Sequence, residues 1–392
     1  MPANPQHLLQ GVRDFGKSLA AFHATERAAR ADALRMLEQV AGAPVDLVAR
    51  LEAAAAADAS LRCALPFQDA VADSFPCDST APPPAALLAV DGSQIVPDRH
   101  EEILFGLINT GSVVYIPGSG AAPTVTSETQ LLYGEHLFGG TDRLLSEGDL
   151  ALLRDAAERR SLLHYALAPG SIALTDGTLE LWGPKDPSDQ RAFDRALSEY
   201  IDQLHEIQRR DLTLAGYVDT PGADLVIRML EIARADTQVG PASRGHRPLR
   251  GATDRHLFGS LLGPGCRSAV FELISSSRPR YSGDLAIHFF YLNVGDESHP
   301  IVARVEVPKW VAADQQRIRT LHATLLEQCR FLGARPYPYI LHRAHETARI
   351  TPHEKEQIKL QLVLELRTAG LTPETVSGKS SAKAVSHRGG RH

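Results

Sequence analysis

Two short apolar runs in this chain end in the same way. Leu87-Leu88-Ala89-Val90 delivers Asp91-Gly92-Ser93, and Ile172-Ala173-Leu174-Thr175 delivers Asp176-Gly177-Thr178. A buried strand that stops at an aspartate followed by glycine presents a carboxylate at the edge of a sheet, with room for a ligand to approach the backbone. An Asp-Gly pair is also an ordinary turn, and for either copy alone that reading is the better one. Two acidic strand ends in one α/β domain can instead converge on a divalent cation. Carboxylate oxygens suit Mg²⁺ or Mn²⁺, and two such ions can clamp the attacking and leaving oxygens of a phosphodiester.

Such a site needs a third acid. The run ahead of the second strand offers Arg154, Asp155, Glu158 and Arg159. A helix leading straight into that strand packs beside it, so Glu158 is the candidate, although a solvated helix face is the commoner place for a glutamate. A second polar and aromatic cluster is Tyr337-Pro338-Tyr339-Ile340-Leu341-His342-Arg343-Ala344-His345. Histidine can ligate Mn²⁺ or move a proton near neutral pH, and a tyrosine hydroxyl can orient a phosphate. Spacing alone does not choose between His342 and His345. Between Gly240 and Arg255, Arg244, Arg247 and Arg250 stand among glycines and prolines, which reads equally as a solvated loop or as a phosphate-contacting one.

The elements around these residues follow the same logic. From Leu8 to Ala57 the sequence is rich in Ala, Leu, Arg and Glu and reads as two helices broken near Gly42-Ala43-Pro44. The stretch to Pro84, with Pro66, Pro76 and Pro82-Pro83-Pro84, reads as a linker, giving a helical arm and linker over 1–84. Paired strands are expected at Ile103–Asn109 and Ser112–Ile116, turning at Thr110-Gly111. Then follow a helix over Asp149–Leu167, the strand at Ile172, a helix over Ala192–Arg210, a strand over Leu212–Val218, three late strands and a helix over Asp314–Leu332. The alternation is that of an α/β sheet with helices against it, over 85–368, and 369–392 reads as a basic, disordered tail.

The chain has 392 residues, 43% of them hydrophobic, and a formal net charge of −6, so contact with a nucleic acid must rely on local patches. Four cysteines without CxxC spacing exclude a zinc knuckle or redox motif. The sequence shows neither a signal peptide's start nor a membrane-length apolar run, so a cytoplasmic protein is expected, with no membrane contact.

Several short motifs, in order, make the resemblance specific. Ala89-Val90-Asp91-Gly92-Ser93-Gln94, Arg154-x-x-x-Glu158, Leu174-Thr175-Asp176-Gly177-Thr178-Leu179, Arg304-Val305-Glu306-Val307-Pro308, and Tyr337-Pro338-Tyr339 with His345 together resemble the NurA family of DNA-repair nucleases, from about Leu87 to Ile358. The resemblance implies a ribonuclease-H-like mixed sheet flanked by helices. It implies a manganese-dependent nuclease, with Mg²⁺ as the alternative ion, that resects DNA ends from the 5′ side in double-strand break repair and can also cut single strands internally. It implies a homodimer partnered with a HerA-type hexameric ATPase. Position by position, Asp91, Glu158 and Asp176 become the metal-binding acids, with Asp91 bridging two ions, and Tyr337 and His345 complete the site. One departure stands out: where family members carry a lysine after the strand that corresponds to Leu212–Val218, this chain has Tyr217-Val218-Asp219-Thr220-Pro221. Arg228 and the arginine-rich loop are then candidates for the missing charge.

Two other readings stay open. A Mg²⁺-dependent phosphotransferase using Asp91 as nucleophile would usually carry a second acid two residues on, where Ser93 stands. A weakly active DNA-binding subunit of the translocase would keep the fold without strong catalysis. A serine hydrolase built on Ser93 lacks the Gly-x-Ser-x-Gly elbow.

Overall fold

The computed structural model describes residues 5–40, 44–138, 143–182, 190–234, 247–333 and 335–371. In chain order the helices are α1 (Pro5–Val40), α2 (Pro44–Ala57), α3 (Glu147–Ser161), α4 (Gln190–Arg209) and α5 (Leu225–Arg234). They continue with α6 (Asp254–Leu261), α7 (Lys309–Ala312), α8 (Gln315–Arg330), α9 (Tyr339–Ala348) and α10 (Pro352–Thr368). The strands are β1 (Cys63–Pro66), β2 (Ser74–Phe75), β3 (Leu87–Ile95), β4 (Gly106–Tyr115), β5 (Thr124–Leu132) and β6 (Ile172–Asp176). After them come β7 (Thr213–Val218), β8 (Arg267–Ser268), β9 (Phe271–Ile274), β10 (Ile287–Asn293) and β11 (Val302–Pro308). The expected basic tail lies, from residue 372 on, outside the described residues.

Two compact units, each discontinuous in sequence, divide the chain. One holds residues 83–176, 180–214 and the chain from 339 on; the other holds 1–82, 177–179 and 215–338. In the first, β3, β4 and β5 form an antiparallel meander, and β6 returns parallel to β3. The order β5-β4-β3-β6, with the parallel strand reached through a helix, is that of the ribonuclease-H-like sheet. Leu87 to Val90 and Ile172 to Leu174 are buried to 2% exposure or less, as runs covered on both faces must be. The helix α3 covers one face and supports α4, α9 covers the other, and Ile358 and Leu362 of α10 pack on Ile95, Phe105 and Leu107.

The expected turn at Thr110-Gly111 is not there: β4 runs unbroken through it, paired with β3 from Leu107 to Tyr115. Gly111 serves a different purpose. A Cβ at that position would lie 2.5 Å from the Ala348 nitrogen and 2.6 Å from the Ala344 oxygen, so its missing side chain lets α9 lie directly on the strand.

In the other unit β9, β10, β11 and the second half of β7 run antiparallel in sequence, with β1 paired to β9. The stretch after α2 is therefore not all linker: Cys63-Ala64-Leu65 forms a buried edge strand, and Pro66 ends it where an edge tolerates a missing N–H. Asp254 caps α5, accepting from the Val226 and Ile227 nitrogens at 2.9 Å each, and takes the Tyr291 hydroxyl at 2.6 Å. Along β11, Arg304 and Glu306 share one face and form a buried ion pair at 2.9 Å, and Glu306 also accepts from the Leu179 nitrogen at 2.9 Å. No described helix is long and apolar enough to cross a membrane.

Burying Glu306 costs solvation that its two partners offset, and removing it strands the Arg304 guanidinium. Glu306→Ala is expected to destabilise the protein by about 3–5 kcal/mol in urea unfolding, whereas an exposed control such as Glu297→Ala should stay within about 0.5 kcal/mol of the parent.

Candidate active site

The parallel register of β3 and β6 pairs Val90 with Thr175. One step further along each strand stand Asp91 and Asp176, neighbours across a ladder spacing of about 4.8 Å and on the same face. Asp176 ends β6, but β3 does not stop at Asp91 as the sequence suggests, because pairing with β4 carries it on to Ile95. Asp91 is 8% exposed, whereas Asp176, on the last residue of β6, is open to solvent. Gly177 follows with φ +86°, a conformation that only glycine adopts without strain, and its N–H bonds the Tyr217 oxygen at 2.8 Å.

His345 reaches Asp91 from α9. Its Nδ1 lies 2.7 Å from Asp91 Oδ2, while Asp91 Oδ1 accepts the Gly92 N–H at 2.8 Å. The other candidate, His342, faces Glu346 of its own helix at 3.6 Å. What aims His345 is the end of α9: the Ala348 oxygen accepts from Ser93 Oγ at 2.5 Å and from Asn109 Nδ2 at 2.8 Å. Asn109 is itself held by Thr129 Oγ1 at 2.6 Å. Asn109, which no motif includes, and Ser93, which stands in the first motif without this role, are thus positioning residues. The signal was present in the sequence for Ser93, which is two residues past Asp91 and so shares its face.

Glu158 approaches β3 from α3. The start of that helix is fixed by a capping box, with Ser146 Oγ accepting from the Asp149 nitrogen at 3.3 Å and Asp149 accepting from the Ser146 nitrogen at 2.7 Å. Leu150, Arg154, Ala157, Glu158 and Ser161 then share its sheet-facing stripe, an unusually polar one. Gly92 makes room for it. A Cβ on residue 92 would lie 2.5 Å from Glu158 Oε1 and 2.7 Å from Arg154 Cγ. Because adjacent strand residues point to opposite faces, Glu158 comes to the strand opposite the side on which Asp91 meets His345.

Glu158 is 5% exposed and lies 3.2 Å from Arg154 Nε. Burial above all, then Asp155 and more weakly Asp91, pushes its carboxyl up to about 8, against the opposing pull of Arg159 and Arg154. Arg159 beside it is stacked over the Tyr200 ring at 4.6 Å and donates to the Asp155 oxygen at 3.0 Å.

The remaining candidates lie in the other unit. Tyr337 is half-buried, with its ring edge-on to Tyr217 at 5.6 Å. Arg247 is a strut, bonding Glu231 at 2.6 Å through Nε and Asp224 through Nη2. Arg228 also pairs with Glu231, at 3.0 Å, and is 8% exposed. Arg250 is exposed, and Arg244 lies outside the described residues.

The donor set fits a hard divalent cation: two aspartates side by side on parallel strands, a histidine on one of them, and a buried carboxylate near by. Among the described residues no three His, Cys, Asp or Glu side chains are gathered tightly enough to close around one ion. Binding by all three acids would exchange the Arg154 contact of Glu158 for the cation.

The ribonuclease-H-like sheet thus sets Asp91 of β3 beside Asp176 at the end of β6, a placement that suits a metal-dependent hydrolase. The chain belongs to the NurA family, since the NurA domain model matches residues 85–350, more than half of its length. NurA proteins are nucleases, and this chain is accordingly a DNA-hydrolysing enzyme. No curated protein matches its sequence. Among solved structures it is similar to the NurA nuclease from Sulfolobus solfataricus, at 13% identity and a TM-score of 0.49, covering 76% of this chain and 88% of that one. Human endonuclease V gives 14% identity and a TM-score of 0.33 over 79% of this chain and 97% of that one. LC9-RNase H1 gives 10% and 0.21 over 44% and 78%. Likenesses this weak carry no argument of their own.

Two outcomes follow from the notch at Gly92. Gly92→Ala drives a methyl group into Glu158 and Arg154 and should cost about 1–3 kcal/mol in unfolding experiments while displacing the glutamate. For Glu158, a carboxyl pushed up on folding takes up a proton between its unfolded value and about 8, so its contribution to stability falls as pH rises through that window. The metal-free stability of Glu158→Gln relative to the parent should therefore improve from pH 5 to pH 8, as melting curves in EDTA would show, and a difference independent of pH would contradict this electrostatic account.

Proposed function

We propose that this chain is a manganese-dependent DNA nuclease that degrades ends in the 5′ to 3′ direction, can also cut single strands, and serves double-strand break repair. The observation that carries this reading is the adjacency of Asp91 and Asp176 on two parallel strands, with Glu158 brought against the next residue of β3 by the missing side chain of Gly92. Asp91, Asp176 and Glu158, with His345 as a fourth donor, would hold Mn²⁺, or Mg²⁺ in its place. When bound, such ions supply an activated water and neutralise charge on the departing oxygen.

The chain's own residues have separate tasks. Asp91, clamped between the Gly92 N–H and His345, presents a carboxylate of fixed orientation. The imidazole of His345, with 60% of its side chain exposed, keeps its second ring nitrogen for one of two tasks, ligating an ion or delivering a proton to the 3′ oxygen as it departs. Orientation of the scissile phosphate by Tyr337 rests on the family resemblance. So do the homodimer and the HerA-type hexameric ATPase, which would feed DNA to the site, whereas contacts of Arg244 and Arg250 with the DNA backbone rest on the composition of their loop, and Arg247 would have to leave Glu231 and Asp224 to join them.

End-labelled linear DNA incubated with Mn²⁺, Mg²⁺ or EDTA, with and without the candidate ATPase, tests the reading. Stepwise loss of the 5′ label in Mn²⁺, its absence in EDTA, and abolition by Asp91→Ala with the fold retained are expected. Capture of the ATPase without Mn²⁺-dependent cleavage would instead make the chain a DNA-binding subunit, and hydrolysis of small phosphomonoesters in Mg²⁺ would make it a phosphotransferase.

A further inference from the structure

Four carboxylates, Asp91, Asp155, Glu158 and Asp176, occupy or border a site that must receive a polyanion. Some cation has to face the phosphate. Resting on the nuclease reading above, we propose that Arg154 is that cation: it holds Glu158 in the metal-free protein, yields it to the metal, and then contacts the DNA backbone next to the acids.

The placement of its side chain supports this dual role. Arg154 stands one turn before Glu158 on the stripe of α3 that faces β3, and its Cγ and Cδ run past residue 92, 2.7 and 3.1 Å from where a Cβ there would sit. Residue 92 is the immediate neighbour of Asp91. The guanidinium thus spans two environments. Its Nε is buried, 3.2 Å from Glu158 Oε1 but without an aligned hydrogen bond, and its Nη2 donates to Asp155 Oδ1 at 3.0 Å. With 33% of the side chain exposed, the same group also reaches solvent.

The other candidate partners for a phosphate are committed elsewhere. Arg159 is 6% exposed, stacked on Tyr200 and bonded to the α3 backbone, so it cannot reach a ligand. His345 is engaged with Asp91. Arg228 and Arg247, the candidates from sequence, are tied to Glu231. Arg154 differs from the other arginines in that its buried contact is an ion pair with a prospective metal ligand. When a divalent cation takes over Glu158, the arginine loses that partner but keeps its Asp155 anchor, and a planar guanidinium fixed at one edge suits a phosphate at the other.

The test compares Arg154→Gln and Arg154→Lys with the parent in two measurements that need no turnover. Mn²⁺ binding is followed calorimetrically without DNA, and binding of a labelled single-stranded oligonucleotide in Ca²⁺ is followed across a salt series. For Arg154→Gln, Mn²⁺ should bind at least as tightly as in the parent, while DNA binding weakens about tenfold and the slope of log affinity against log salt falls by about one. Arg154→Lys should restore the slope but only part of the affinity. Unchanged DNA affinity and slope, with a lower melting temperature alone, would overturn the phosphate contact. Weaker Mn²⁺ binding would overturn the exchange, because Arg154 would then be assisting Glu158 rather than competing for it. A parent that binds DNA with the expected salt slope yet cleaves nothing in any cation would sink the nuclease reading without touching these binding results, and a parent that binds no DNA would sink the Arg154 contact itself.

Discussion

Everything at this site depends on the alignment of two parallel strands. Because β3 and β6 are paired so that Val90 faces Thr175, the next residue of each is an aspartate, on the same side and one ladder spacing apart. A slip of one residue would send one carboxylate to the opposite face and end the arrangement. What prevents the slip is the apolar packing of Leu87 to Val90 and Ile172 to Leu174, buried on both faces of the sheet. The hydrophobic core therefore sets the position of the charges, and the helices only add to a geometry already determined.

Glycine does the complementary work. Gly92 opens β3 toward α3, Gly111 opens β4 toward α9, and Gly177 turns the chain after Asp176. Each does so for a different physical reason: the first admits a carboxylate, the second a helix backbone, the third a positive φ. Burial above all, and after it the neighbouring acids, displace Glu158 toward a neutral form, a cost that a cation would offset. The strain is local, and it sits at the place where an ion would relieve it.

Much of this was legible in the sequence. The strand end at Asp176-Gly177, Glu158 on the preceding helix, and the alternation of strands and helices follow from periodicity and from the chemistry that carboxylates offer, whereas Asp91-Gly92 lies inside β3 because β4 extends the pairing past it. Order of motifs, rather than spacing, chose His345 over His342, and the distinction in structure comes from Asn109 and Ser93 gripping the end of α9. No local pattern could show that grip, because it joins residues about 240 and 255 positions apart. Gly111 was read as a turn because glycine near threonine usually is one, when its role was set by a helix far along the chain. The β1 strand was hidden for a related reason: a run of three apolar residues among prolines lacks the length to be told from a linker until β9 is beside it.

The grip on α9 couples distant parts of the first unit. Thr129 on the outermost strand steadies Asn109, Asn109 and Ser93 hold a single carbonyl at Ala348, and the imidazole of His345 lies one turn back from that carbonyl on the same rigid rod. The helix is thus a lever pinned at its end, and any disturbance that loosens the pin is magnified at the imidazole. Damage to the outer rim of the sheet, where no chemistry takes place, can therefore silence the enzyme while leaving every acidic residue intact.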